Sequence, residues 1–124
     1  MNIINKKTIL IVDDNKYILK PLSLLLFSLG YLVKTITNGK DAMVMQKPFA
    51  DAILLDMHLQ GIKGQDGPDI CMKLKEAEET KHIPIIMFSA DSNGRRIAEE
   101  SGADDFIEKP FSMTNLAKKI EKYI

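Results

Sequence analysis

The chain has 124 residues, with 17 basic and 17 acidic side chains, so its formal net charge is zero. This length predicts one domain over residues 1–124. A neutral chain lacks the strong field that attracts nucleic acid or an acidic membrane, so we expect neither as a direct partner. Cys71 is the single cysteine, which excludes a disulfide framework and predicts a reducing, cytoplasmic compartment.

The first half of the chain alternates short apolar runs with helical patterns. Strands are predicted at residues 8–12, 31–36 and 52–55, and the first of them is a continuous apolar run rich in β-branched residues. A helix is predicted from the N-cap Asn15 to a stop at Gly30, with an apolar stripe of Ile18, Leu22, Leu25, Leu26 and Leu29. Pro21 inside this helix predicts a kink or a late start. A short helix is predicted at residues 40–46, ended by Pro48.

The second half continues the same alternation. Strands are predicted at residues 85–88 and 105–108, and helices at residues 70–77, 95–101 and 113–124. Residues 57–66 form a long glycine-containing loop. Strand and helix therefore alternate along the whole chain, which predicts an α/β fold with a parallel sheet between two helical layers. For five strands the common arrangement is the flavodoxin-like (βα)5 three-layer sandwich, with strand order 2-1-3-4-5.

Charged or hydroxyl side chains follow four of the predicted strands. Asp13 and Asp14 come after the first strand, Asp56 after the third, Ser89 after the fourth and Lys109 after the fifth. The first and third strands are neighbours about 4.8 Å apart in the predicted order, so the three carboxylates crowd together. Such crowding raises a carboxyl pKa unless a cation intervenes, and hard oxygen ligands suit Mg²⁺.

These residue types fit phosphoryl transfer to a carboxylate. Asp56 is the natural nucleophile, because a carboxylate can form an aspartyl phosphate. The transition state spreads charge over the phosphoryl oxygens, so catalysis is mostly positioning and charge neutralisation. Lys109 could supply a second cation beside the metal, and Ser89 could donate a hydrogen bond to a phosphoryl oxygen.

Four segments give the chain a specific resemblance to a known family. Over essentially its whole length it resembles the receiver domain of two-component response regulators, and the resemblance lies in IVDDN at residues 11–15, LLDM at 54–57, FSA at 88–90 and GADDFIEKPF at 102–111. The resemblance implies that Asp56 is the phosphoacceptor. It also implies an Mg²⁺ site in which Asp14 binds directly and Asp13 through water, together with Asp56 and the backbone carbonyl of His58.

The resemblance also implies a switch and its partners. Ser89 would turn toward the phosphoryl group, Phe106 would swing inward with it, and Lys109 would contact the phosphate. The Lys109-Pro110 bond is expected to be cis. The donor would be a sensor histidine kinase or a histidine phosphotransfer protein, and a downstream protein target or effector domain would read the switch. Such a module catalyses only its own phosphotransfer and dephosphorylation, and it can form a homodimer on phosphorylation.

The loop after Asp56 departs from the family pattern. Gln60 stands where receivers commonly have proline, and Gly67 lies eleven residues after Asp56, where the family glycine would lie eight after. We favour an insertion of about three residues around residues 62–64, although Gly64 could align without a gap if the next helix began late. The longer loop bears on phosphate lifetime and on partner fit.

Two positions that vary in the family flank the expected phosphate, and here they are His58 and Asp91. We hypothesise that one or both tune dephosphorylation by controlling the access of water. Three other functions fit less well. An interaction module that is not phosphorylated usually lacks an acid or the lysine; a haloacid dehalogenase phosphatase needs Asp-x-Asp after the first strand; and a flavin site needs a phosphate-cradling loop there. The sequence leaves open the cognate kinase, the output and whether the receiver acts alone or within a larger protein.

Overall fold

The computed structural model describes residues 6–45, 50–59 and 63–124, which form a sheet of five parallel strands. The strands are β1 (Thr8–Val12), β2 (Leu32–Ile36), β3 (Ala52–Asp56), β4 (Ile85–Ser89) and β5 (Asp105–Glu108). Their order is β2-β1-β3-β4-β5, as predicted. β3 and β4 extend one residue further than predicted, so that Asp56 and Ser89 are the last residues of their strands.

The register of the sheet brings the carboxyl ends of four strands to one edge. Val12 pairs with Leu55, Asp56 pairs with Phe88, and Ser89 pairs with Glu108. The residues that end or follow β1, β3, β4 and β5 therefore lie side by side. This alignment is a property of parallel pairing, and it places the polar side chains singled out in the sequence at a common position.

Helices cover both faces of the sheet. The helices are α1 (Lys16–Ser28), α2 (Gly39–Met43), α3 (Gly67–Glu76), α4 (Gly94–Glu100) and α5 (Met113–Tyr123). One apolar cluster joins the sheet to α2, α3 and α4, and a second joins it to α1 and α5. The three-layer arrangement is thus confirmed. Within the described part of the chain, no helix has both the length and the apolar character to cross a bilayer.

The structure corrects several details of α1. The helix begins at Lys16, directly after the Asn15 cap, so Pro21 does not delay its start. The buried residues include Leu19, which was left out of the predicted stripe, whereas Leu29 is 48% exposed. The predicted stop at Gly30 is confirmed: its φ of 100° lies in the left-handed region that glycine adopts without strain.

The other helices differ from prediction mainly at their ends. α2 ends at Met43 rather than at residue 46, and the expected stop at Pro48 lies outside the described residues. α4 begins one residue before the predicted start, at Gly94. The Ser112 hydroxyl caps α5 by accepting a hydrogen bond from the Asn115 N–H at 3.0 Å. The Lys109-Pro110 peptide bond is cis, as expected.

The loop between β3 and α3 distinguishes the two alignments considered for its glycines. α3 begins at Gly67, and a Cβ on Gly67 would lie 2.6 Å from Met57 Cα and 2.7 Å from the Met57 carbonyl oxygen. Gly64 makes no such approach to the described residues. Gly67 is therefore the glycine that packs against the end of β3, which supports the insertion. Gln60 lies outside the described residues.

Candidate functional site

Three carboxylates cluster where β1 and β3 end. Asp13, Asp14 and Asp56 can each place one oxygen so that all three oxygens lie within 4.8 Å of one another. Asp13 is fully buried and Asp56 is 5% exposed. Asp13 Oδ1 accepts a hydrogen bond from the Asn15 N–H at 2.8 Å. No donor among the described residues reaches its buried Oδ2, which leaves a strong acceptor for a group from outside the protein.

The surroundings of these carboxylates oppose their ionisation. Burial raises the pKa of Asp56 from 3.8 to about 6; the Asp13 carboxylate adds to this effect and Lys109 opposes it. Burial also raises the pKa of Asp13, with a smaller contribution from Asp14. Adjacent buried carboxylates avoid this repulsion either by taking up protons or by sharing a cation.

Lys109 brings a cation to the cluster from β5. Its Nζ lies 3.3 Å from Asp56 Oδ1 and 4.9 Å from the centre of the Phe88 ring. Its backbone N–H donates to the Ser89 carbonyl at 2.9 Å, which extends the β4–β5 pairing by one residue. The lysine is thus held by the sheet on one side and by an aromatic face on the other. This position suits it to neutralise charge on Asp56 or on a group attached to it.

Ser89 and Phe106, the two expected switch residues, are both buried. Ser89 is 1% exposed, and its Oγ accepts a hydrogen bond from the Asp91 N–H at 2.9 Å. That bond does not use the hydroxyl proton, so Ser89 can still donate to an oxygen in the adjacent cleft. The Phe106 ring is 5% exposed and belongs to the apolar cluster under α2, α3 and α4.

An open cleft adjoins the carboxylates. It is lined by Asp14, Asn15, Lys16, Tyr17, Asp56, His58, Ser89, Ala90 and Lys109. The cleft brings together most of the predicted site residues, whereas the buried residues Asp13 and Phe106 do not line it. Lys16 and Tyr17 were missed in the sequence analysis. Their position shortly after the acid pair, at the start of α1, could have indicated that they line the same cleft.

His58 lies at the rim of the cleft between two carboxylates. Its Nε2 is 3.5 Å from Asp91 Oδ2 and its Nδ1 is 3.9 Å from Asp66 Oδ2, while 61% of the side chain is exposed. The structure thus brings together the two variable positions singled out in the sequence and adds Asp66. Asp66 also accepts a hydrogen bond from the Leu59 N–H at 2.5 Å, so it holds the segment that follows the carboxylate cluster.

The ligand chemistry of the cluster fits Mg²⁺. The available groups are carboxylate oxygens, which Mg²⁺ prefers over nitrogen or sulfur. In proteins Mg²⁺ is commonly held by one or two carboxylates, and water molecules complete its coordination shell. The buried Asp13 Oδ2, which lacks a donor among the described residues, is the acceptor such a shell would satisfy. His58 is the second residue after Asp56, the last residue of β3, and it lines the cleft beside the carboxylates.

Comparison with known proteins identifies the family. Residues 9–121 match the family described as the response regulator receiver domain. The chain belongs to this family. The receiver is 36% identical over 124 residues to a probable transcriptional regulator, ycf27, of Cyanophora paradoxa, covering 98% of the chain and 49% of that protein. It is 37% identical over 115 residues to response regulator PleD of Caulobacter vibrioides, covering 90% of the chain and 25% of PleD.

Solved structures agree with this assignment. A putative response regulator from Chloroflexus aurantiacus superposes with a TM-score of 0.87 at 31% identity, covering 96% of the receiver and 98% of that chain. The receiver domain of a sensor histidine kinase from Pseudomonas aeruginosa, which has magnesium in its active-site cleft, superposes with a TM-score of 0.82 at 28% identity, covering 95% and 97% of the two chains. The protein is therefore a receiver module of two-component signal transduction with a flavodoxin-like fold.

Proposed function

We propose that this receiver takes a phosphoryl group onto Asp56 from a phosphohistidine of a sensor histidine kinase or of a histidine phosphotransfer protein. The observation that carries the proposal is the position of Asp56, a nearly buried carboxylate that lines an open cleft with Lys109 Nζ 3.3 Å away. A carboxylate oxygen of Asp56 would attack phosphorus as the phosphorus–nitrogen bond of the donor breaks, and the donor imidazole would keep that electron pair.

Asp13, Asp14 and Asp56 would hold Mg²⁺ together with the backbone carbonyl of His58. When bound, the ion would supply positive charge to the carboxylates and to the transferred phosphoryl oxygens. Lys109 would neutralise a further phosphoryl oxygen from the β5 side, since its ammonium group already faces Asp56. Asp13 accepts the Asn15 N–H through Oδ1, and this bond fixes the orientation of its second oxygen.

Ser89 and Phe106 would read the phosphorylated state. The Ser89 hydroxyl would donate to a phosphoryl oxygen, because Ser89 lines the same cleft as Asp56. Phe106 lies on β5 one residue before the partner of Phe88, beneath α4. Coupling between the two would alter the surface formed by α4, β5 and α5, which a downstream target or effector domain would recognise. The phosphorylated receiver could dimerise through the same surface.

The chain spans about half or less of the length of the curated relatives it matches. The response that follows its phosphorylation is therefore part of this proposal. We propose that an effector domain or a separate target protein supplies it and that the receiver catalyses only its own phosphotransfer and dephosphorylation. A cytoplasmic location is consistent with a free, buried thiol at Cys71.

Reaction with a small phosphodonor tests the proposed function. The protein is incubated with acetyl phosphate and Mg²⁺, and the gain of one phosphoryl group is followed by intact mass and mapped by peptide analysis. The modification is expected at Asp56, to be lost in Asp56→Asn and to require a divalent cation. Asp41→Asn is the matched control, since Asp41 lies in the first turn of α2 and does not line the cleft. Labelling of Asp56→Asn at the wild-type level would overturn the assignment.

We further propose that His58 and Asp91 tune dephosphorylation. His58 lines the cleft and its imidazole stands 3.5 Å from the Asp91 carboxylate, so the pair would control the access of water to the phosphoryl group. His58→Ala and Asp91→Ala should each change the decay rate of the phosphorylated receiver, and the double variant should change it by less than the product of the two single effects. Unchanged decay rates in both single variants would exclude this role.

A further inference from the structure

α4 begins with a glycine whose backbone does not require one. Gly94 is the first residue of the helix, and among the described residues the positive-φ glycines are Gly30, Gly64 and Gly102. Alanine would therefore fit the backbone of residue 94, and it is intrinsically favoured over glycine in a helix. Some reason other than conformation must account for the small residue here.

The reason lies in the side chains beneath the helix. A Cβ on Gly94 would lie 2.6 Å from Cζ and 2.8 Å from Cε1 of the Phe106 ring, closer than such atoms approach in folded proteins. It would also lie 3.4 Å from the Ser89 Cβ. A side chain at residue 94 would thus meet the two residues proposed to read the phosphorylated state, and the phenyl ring occupies the volume that a methyl group would need.

The rest of α4 contributes to the same space. The buried residues of this seven-residue helix are Gly94 and Ala98, both small, and they stand one turn apart on one face. The Arg95 guanidinium lies 5.4 Å from the centre of the Phe106 ring. The ring therefore fills the gap left by a small-residue face and is in addition contacted by a cation from the first turn of the same helix.

We propose that Gly94 is a positioning residue of the switch, because its missing side chain admits the Phe106 ring beneath α4 and couples the ring directly to the helix start. This inference rests on the proposed function of Ser89 and Phe106. A side chain at residue 94 must displace either the ring or the first turn of α4. In either case the Phe106 ring can no longer be buried while α4 keeps its present position. The conformation that has both the buried ring and this helix position then becomes less populated.

The first test is structural and does not depend on phosphorylation. Aromatic NMR signals of Phe106, assigned with Phe106→Leu, should show nuclear Overhauser contacts to the Gly94 α-protons in the wild type. In Gly94→Ala the ring signals should shift toward solvent-exposed values or show contacts with a displaced helix start. Arg96→Ala, an exposed substitution on the same helix, should leave them unchanged. Identical Phe106 signals in the wild type and Gly94→Ala would overturn the proposal.

The second test is a double-mutant cycle in which the effect of Gly94→Ala changes sign. Thermal unfolding should show that Gly94→Ala lowers the midpoint in the wild type, because of the clash. In a Phe106→Ala background the same change should raise the midpoint, because only the better helix propensity of alanine remains. The same shift in both backgrounds would show that residue 94 does not act through the ring.

The third measurement separates this inference from the proposed function. Beryllofluoride with Mg²⁺ imitates a phosphoryl group on a carboxylate, and its affinity reports the population of the activated conformation. Gly94→Ala should weaken its binding on the order of tenfold, and in the Phe106→Ala background it should have no effect. If wild type and Gly94→Ala bind beryllofluoride with equal affinity, the proposed role of Gly94 is refuted, and the phosphoacceptor assignment of Asp56 is not affected. Absence of binding to the wild type would instead count against the phosphoacceptor assignment, and NMR and unfolding would then decide the role of Gly94.

Discussion

Replacing Asp56 with asparagine should stabilise the folded receiver at neutral pH when no divalent cation is present. The pKa of Asp56 is raised by burial and by Asp13 to about 6, against an ordinary value of 3.8. At about 1.4 kcal/mol per pH unit, keeping this carboxylate ionised in the folded state costs about 3 kcal/mol. Asparagine has the same shape without the charge. The raised pKa already includes the opposing attraction of Lys109, so the expected gain in unfolding free energy is about 3 kcal/mol.

The sign of the pH dependence follows from the raised pKa. A carboxyl group that binds its proton more tightly in the folded state destabilises the fold once it ionises. The unfolding free energy of the wild type should therefore fall as pH rises from about 4 to about 6, and in Asp56→Asn this part of the fall should be absent. The two proteins should have similar stability near pH 4 and differ most above pH 6.

Urea unfolding followed by circular dichroism, between pH 4 and pH 8 with a chelator, measures this difference. Asp41→Asn serves as the control for loss of a carboxylate outside the cleft. Mg²⁺ should reduce the advantage of Asp56→Asn, because an ion held by the proposed site would stabilise the folded wild type by mass action. A variant that is less stable than the wild type at pH 7, or equally altered at pH 4 and pH 7, would refute the account of a destabilising buried charge.

Two further substitutions test contacts around the site. Gly67→Ala should lower the unfolding free energy by about 1–3 kcal/mol, because its Cβ would press on the Met57 backbone, and reaction with acetyl phosphate should slow as the end of β3 shifts. Asp105→Asn should cost about 1–2 kcal/mol at pH 7, measured by urea unfolding. Burial favours the protonated form of Asp105, but hydrogen bonds from Lys119, the Phe106 N–H and Tyr123 hold its pKa below 3.8, so the cost should vanish in acid. Wild-type stability of either variant at pH 7 would contradict these contacts.

The architecture and the composition of the site could be predicted from local patterns. Strands buried on both faces must be continuously apolar, so the run at residues 8–12 could be recognised without its neighbours. Parallel strands place their carboxyl ends at one edge, so Asp13, Asp56 and Lys109 could be brought together from chain order alone. The errors fall where burial depends on distant contacts, as with Leu19, which is buried, and Leu29, which is not.

The sequence by itself determined which residues meet at the sheet edge. The alternation of strands and helices, and the residue at which each strand ends, can be recognised from short segments of the chain. Only the tertiary structure decided their environment. The raised pKa of Asp56, the approach of Asp91 to His58 and the fit of the Phe106 ring against Gly94 each depend on how separate strands, helices and loops pack together. Distances and burial of this kind arise from packing, and no local pattern of residue types specifies them.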